Sequence, residues 1–460
     1  MSNYTYTKIP KKISSISDSK VRNLLNRELS RYQDIYYKSK IAFDKVSQYL
    51  PLGVSSSFQH YNPFPLYIKE SKGAYIKEIG DNELLDLNMG FGSLIIGHNE
   101  KKFIRRLSDC IKNKGILYVM PSESLYEASK LICKRFNIDK VRFTNSGTES
   151  LMYAIRLAKS FTKKEYIVKV EGGYHGGYDP LLASVKPDLS ICGDENKPNV
   201  ILPYYAKNEK VIVIPYNNIE AAESIIKENK AKIAALVIEP IMENIGLVLP
   251  DDNYLSMLER VCRDNEVLLI FDEVKTGLTT SYGGAKELYN ITPDLITLGK
   301  SIGGGLSIAA FGGRDDIMKL IEDKIANHYG TYNGNPLAIE GVIAVNKLAS
   351  REKLLECYQN NYLLACNLFS IIENYELPSY VTGAGAKGSV VWSEKVVKNY
   401  RDYKNSNFIL AELMYLYYLN NKIATPPGLD EQWLISFSHG ISEINYITEV
   451  FNNLAAEIRS

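Results

Sequence analysis

A chain of 460 residues, 45% apolar and 23% charged, has the composition of an ordinary globular protein and room for two or three structural units. Its formal net charge of +1 argues against a basic nucleic-acid face or an acidic tail as its dominant feature, so no nucleic-acid partner is expected. No apolar run reaches the roughly 18 residues that a membrane-spanning helix needs, so no membrane partner is expected either.

The opening segment, MSNYTYTKIPKKISS, is polar and lacks the apolar stretch of a secretory leader, which makes the cytoplasm the expected location. The six cysteines, Cys110, Cys133, Cys192, Cys262, Cys357 and Cys366, are scattered and form no CxxC pair. Buried free thiols fit this spacing better than a disulfide framework. The five histidines make no HxxxH or HExxH cluster, so no metal site is predicted.

In chain order, residues 1–50 read as a polar N-terminal extension with helical character from Ser19 to Leu50, ended by Pro51 and Gly53. Residues 51–95 carry short strands. Gly73 to Leu87 alternates around a turn at Gly80–Asp81–Asn82, which predicts a β-hairpin. From 96 to 345 the pattern changes. The runs VRFT (141–144), YIVKV (166–170), VIVIP (211–215), AALVIE (234–239), VLLIFD (267–272), DLITL (294–298) and IAAFGG (308–313) alternate with helical stretches. Apolar runs spaced by helices predict an α/β domain with a mostly parallel, seven-stranded central sheet. Residues 346–460 have fewer strand signals and more amphipathic helix, and read as a smaller α+β C-terminal domain.

The strongest chemical signal is LLIFDEVKTG (268–277) followed by PDLITLGKSIGGG (293–305). An acid, Asp272, ends one buried strand, and Lys300 follows another. Ligands of open α/β sheets bind just beyond the carboxyl ends of the strands, so both groups are placed at one crevice. A pyridine-ring cofactor needs this pair: a carboxylate to keep the ring nitrogen protonated, and a lysine to hold the aldehyde as an imine and then carry a proton. Taken alone, the pair also fits a buried structural Asp–Lys contact. In FTNSGTES (143–150) a strand gives way to Ser146–Gly147–Thr148 and then a helix. Such a helix start can hold a phosphate, or can simply be a Ser/Thr cap. EGGYHGGYD (171–179) sets an aromatic ring and an imidazole between glycines, where a ring can lie flat on a planar cofactor or pack in a turn. VIEPIMENIG (237–246) ends a buried strand at Glu239, with Asn244 beyond, and HYGTYNGNP (328–336) is a loop with a hydroxyl at Thr331.

In this order the five segments resemble the class III aminotransferases, and most closely their branch of glutamate-1-semialdehyde aminomutases and β-amino-acid transaminases. The likeness covers residues 45–345 well and the C-terminal third loosely. It implies a fold-type-I enzyme using pyridoxal 5'-phosphate, a homodimer with shared active sites, and a small-molecule amino donor and carbonyl acceptor. It further implies Lys300 as the Schiff-base lysine and Asp272 as partner of the pyridine nitrogen. Val274 would pack on one ring face and Tyr174 on the other, with His175 beside it. Ser146, Gly147 and Thr148 would bind the phosphate, Thr331 would reach the partner subunit's phosphate, and Asn244 would lie near the 3-hydroxyl with Glu239 behind these contacts.

Two departures stand out. Position 275 is Lys, where relatives carry Gln or Met. In GVSSSFQHYNPFPLYI (53–68), which resembles the family's N-terminal active-site loop, Ser56 and Gln59 occupy the positions of the carboxylate-binding arginine, with Tyr61 nearby. No arginine occurs between Asp402 and Ile458 either. A forked guanidinium is the usual carboxylate clamp. Its loss favours amino transfer between two molecules over an aminomutase acting within one; an epimerase or decarboxylase on the same scaffold is the other alternative.

Overall fold

All seven apolar runs form strands of one sheet. In the computed structural model, which describes residues 4–426 and 432–460, these are β1 (Lys140–Thr144), β2 (Tyr166–Val170), β3 (Val211–Ile214), β4 (Ile233–Ile238), β5 (Leu268–Asp272), β6 (Leu295–Leu298) and β7 (Ala309–Gly313). Their spatial order is β1-β7-β6-β5-β4-β2-β3. Neighbours from β6 through β3 run parallel, whereas β7 is antiparallel to both β6 and β1. The reason is length. A parallel return needs a crossover of about a dozen residues or more, and only residues 299–308 separate β6 from β7.

The central strands are buried along their whole length, which accounts for their continuous Val, Ile and Leu content. Between β1 and β2, the helix Gly147–Thr162 lays Leu151, Ile155 and Ala158 against the sheet, with Val237, Ile270 and Phe311 in the same core. Register fixes the functional edge. Thr297 of β6 pairs with Asp272 of β5, and Ile238 of β4 pairs with Phe271. Glu239, Asp272 and the residues after Leu298 therefore leave the sheet at a common edge. This sheet and its helices make up one compact unit, residues 101–354 with 397–404.

The second unit gathers residues 1–100, 355–396 and 405–460. The expected hairpin is present, with Tyr75–Glu78 antiparallel to Glu83–Asp86 and Asp81 in the left-handed turn at φ 68°. Residues 4–50 are woven into this unit. Thr5–Lys8 pairs antiparallel with Tyr380–Ala384. Helix Asp18–Ile35 packs on Phe408–Asn420, and Tyr32 and Tyr36 are fully buried. A second core joins Leu364, Leu368, Trp392, Leu413, Ile447 and Phe451 from the C-terminal helices and strands.

Candidate active site

Beyond the carboxyl ends of the parallel strands lies a cavity of about 140 Å³ whose lining includes Asp272, Lys300, Tyr174, His175, Val274 and Lys275. Asp272 closes β5 and is 5% exposed. Its Oδ2 accepts from His175 Nδ1 at 2.8 Å, and its Oδ1 accepts from the Val274 amide at 3.1 Å and the Thr297 hydroxyl at 3.3 Å. An ionised carboxylate offers about four acceptor positions, so these three donors orient the group and leave it capacity for one more. His175, expected beside Tyr174 against the cofactor, thus also backs the acid.

Lys300 opens a short 3-10 turn, Lys300–Gly303, directly after Gly299. Its backbone is left-handed, at φ 45°, which is uncommon and strained for a side chain of this kind. The tight β6–β7 return forces this turn at the strand edge and brings the lysine to the cavity.

Gly147 and Thr148 start the helix that ends at Thr162, and both line the cavity. The first amides of a helix have no acceptor within it and carry its positive dipole end. A Cβ at Gly147 would come within 2.9 Å of the Val274 side chain, and one at Gly176 within 2.2 Å of Thr148 Oγ1. Thr148 Oγ1 also accepts from the Gly177 amide at 3.1 Å. Ser146 is the helix cap, with its hydroxyl accepting from Glu149 N at 3.2 Å; it is not part of the cavity lining.

Glu239 is 4% exposed. Its Oε1 accepts from the Tyr174 amide at 2.9 Å and its Oε2 from Asn244 Nδ2 at 2.8 Å. Burial raises its pKa, opposed by the nearby His175 and Lys275. Asn244 lines the cavity beside Lys275, whose Nζ donates to the Glu243 carbonyl at 3.5 Å. Thr331 lies in an exposed turn and does not line this cavity. Ser56, Gln59 and Tyr61 belong to the second unit. There Gln59 Oε1 accepts from the Ser56 amide at 3.2 Å, and the Tyr61 hydroxyl accepts from the Leu66 amide at 2.8 Å.

One residue behind the cavity wall has no counterpart in the sequence analysis. Lys169, in the middle of YIVKV, is fully buried. Its Nζ donates to the carbonyls of Gly173, at 2.8 Å, and Ala183. Burial lowers its pKa to about 7. A lysine inside an apolar strand was the available signal, since lysine is almost never fully buried without a partner. Among the described residues no group of three or more His, Cys, Asp or Glu side chains could hold a metal ion. Nor is any described helix long and apolar enough to cross a membrane.

Residues 56–413 match the family model for class-III aminotransferases. The chain belongs to this family. Among class-III relatives, the glutamate-1-semialdehyde 2,1-aminomutase of Methanosphaera stadtmanae is 34% identical over 411 residues, spanning 89% of this chain and 96% of the relative. An omega-transaminase from Sphaerobacter thermophilus superposes with a TM-score of 0.88 at 26% identity, over 93% of this chain and 99% of its own. A beta-phenylalanine aminotransferase from Variovorax paradoxus gives a TM-score of 0.86 at 26% identity, over 95% and 97%. The mostly parallel seven-stranded sheet is that of the fold-type-I transferases, and the class-III cofactor is pyridoxal 5'-phosphate. The cavity suits that group: a carboxylate with spare acceptor capacity, a lysine, an aromatic ring and a helix N-terminus face one space.

Proposed function

We propose that the enzyme is an aminotransferase that moves an amino group from a small-molecule donor to a separate keto or aldehyde acceptor, such as a β-keto acid or a specialised biosynthetic carbonyl compound. The observation that carries the amino-transfer chemistry is the presence of Asp272 and Lys300 on one cavity. Bound there, pyridoxal phosphate supplies an aldehyde that captures amines and a ring that accepts an electron pair. Asp272, oriented by His175, the Val274 amide and Thr297, holds the ring nitrogen's proton. Lys300 Nζ would take the proton from the carbon bearing the donor's amino group and carry it through the 1,3-shift that the bound group makes possible. Gly147 and Thr148, with Ser146 stabilising the helix start, hold the phosphate through their amides. Val274 and Tyr174, both lining the cavity, would pack against the ring. Asn244, fixed by Glu239, would serve the 3-hydroxyl. The protein acts as a cytoplasmic homodimer, and Thr331 serves the partner's phosphate.

Transfer between two molecules is favoured over an aminomutase by the N-terminal loop. Gln59 stands in place of a carboxylate-binding arginine and its side-chain oxygen is turned back onto the Ser56 amide. A second reading, the intramolecular aminomutase, is favoured by the curated relatives at 34% identity. Single-turnover mixing separates the two. The transaminase reading expects amino donors, added without any acceptor, to abolish the visible absorbance of the bound cofactor, with recovery when a carbonyl acceptor is supplied. Turnover of an amino aldehyde to its positional isomer with no donor present, and no exchange with labelled external amine, would establish the mutase instead.

A further inference from the structure

Tyr174 owes its position to a peptide bond gripped at both ends. The carbonyl of Gly173 accepts from Lys169 Nζ at 2.8 Å, and the N–H of Tyr174, on the other side of the same peptide unit, donates to Glu239 Oε1 at 2.9 Å. In a trans peptide these two groups point in opposite directions, so the two side chains hold the plane from either side. Both are buried, Lys169 at 0% and Glu239 at 4% exposure. Each has a second anchor: the Ala183 carbonyl for Lys169 and Asn244 Nδ2 for Glu239. The next residue, His175, is fixed by Asp272. Upstream, the Gly172 amide donates to the Ser184 carbonyl at 2.8 Å.

We propose that Lys169 is a positioning residue that, with Glu239, clamps the Gly173–Tyr174 peptide and so sets the Tyr174 ring against the cofactor. The donors matter more than the charge, because an amine retains two N–H groups when it loses its proton, one for each carbonyl. Burying a lysine costs a great deal of hydration. A purely structural post in an apolar strand is better filled by Leu or Met. The cost is recovered only if the segment it fixes must be held in one orientation. This inference rests on the reading of Tyr174 as facing the cofactor.

The test uses the holoenzyme of wild type, Lys169→Met, Tyr174→Ala and the double variant, with two readouts: the dissociation constant of pyridoxal phosphate and the visible circular dichroism of the bound cofactor. Leaving a buried carbonyl without its donor weakens binding by about tenfold, which is the change expected for Lys169→Met, together with a reduced dichroic band. In the Tyr174→Ala background the same substitution should alter affinity by less than about twofold, because the ring it positions is gone. Should Lys169→Met fail to fold, Lys169→Gln, with a donor on a shorter stem, is read in the same way. An effect of Lys169→Met of equal size in both backgrounds would overturn the clamp, as would no effect in the wild-type background when Tyr174→Ala has one. A Tyr174→Ala variant that binds and orients the cofactor like the wild type would overturn the reading of Tyr174 itself, and the clamp with it.

Discussion

In the proposed reaction Asp272 and Lys300 do different work, and their replacements should fail differently. Asp272→Asn keeps the shape of the side chain but loses the charge proposed to hold a proton on the ring nitrogen. Its amide nitrogen would also meet donors from His175, Val274 and Thr297. The expected result is retained cofactor with kcat reduced on the order of 10²–10⁴-fold, the usual contribution of a positioned acid or base, as measured by donor half-reactions in stopped flow. Lys275 adds a second amine to the cavity, where its Nζ donates to the Glu243 carbonyl and its charge acts on Glu239. Because the proposed proton transfer runs through Lys300, Lys275→Met should lower kcat far less than Lys300→Ala. A steady-state comparison of the two variants checks this order. The pairing of Asp272 with Lys300 was legible because one ends a buried strand and the other follows one, with a glycine run beside Lys300. The role of His175 behind the acid was not, because a hydrogen bond between β2's trailing loop and β5 depends on strand order, which no local pattern carries.

The elements that deliver these groups depend on a few side chains that never reach the cavity. Glu273, next to Asp272, is fully buried and accepts from the Ala285 and Lys286 amides at 2.9 and 2.8 Å and from Thr276 Oγ1. It ties the turn after β5 to the start of helix Gly284–Tyr289. Burial raises its pKa from 4.5 to about 7. An acid that binds its proton more tightly when folded contributes stability below its unfolded value and loses it as pH rises to the folded one. Wild-type stability should therefore fall relative to Glu273→Gln between pH 4.5 and about 7, as followed by urea denaturation at stepped pH. Gly312 of β7 gives a second check. A Cβ there would come within 2.2 Å of the Lys140 carbonyl oxygen, and backbone cannot yield as a flexible side chain can. Gly312→Ala should cost about 1–3 kcal/mol, the usual range for overpacking, measured as a lowered urea midpoint. The seven strands could be read from their apolar runs. The reversed direction of β7 follows from the ten-residue return before it, a constraint of chain length that composition does not express.

At the scale of the molecule, cofactor binding and folding are coupled. A ligand that binds only the folded state stabilises it by about 2.7 kcal/mol at a hundredfold excess over its dissociation constant. Thermal unfolding of holoenzyme and of enzyme stripped of pyridoxal phosphate should differ accordingly, and Lys300→Ala should narrow the gap. The first 50 residues illustrate what a local reading leaves out. They look like an arm because they are polar, yet Thr5–Lys8 completes a sheet with Tyr380–Ala384 across more than three-quarters of the chain. Such pairing has no signature near either strand. The central claim is that, of the lysines in this part of the fold, Lys300 is the one that bonds the cofactor. Reduction of the holoenzyme with borohydride, followed by proteolysis and mass spectrometry, would fix the cofactor to the lysine that holds it. The account predicts a pyridoxyl adduct on the peptide containing Lys300, and an adduct on Lys275 or Lys169 with Lys300 unmodified would contradict it.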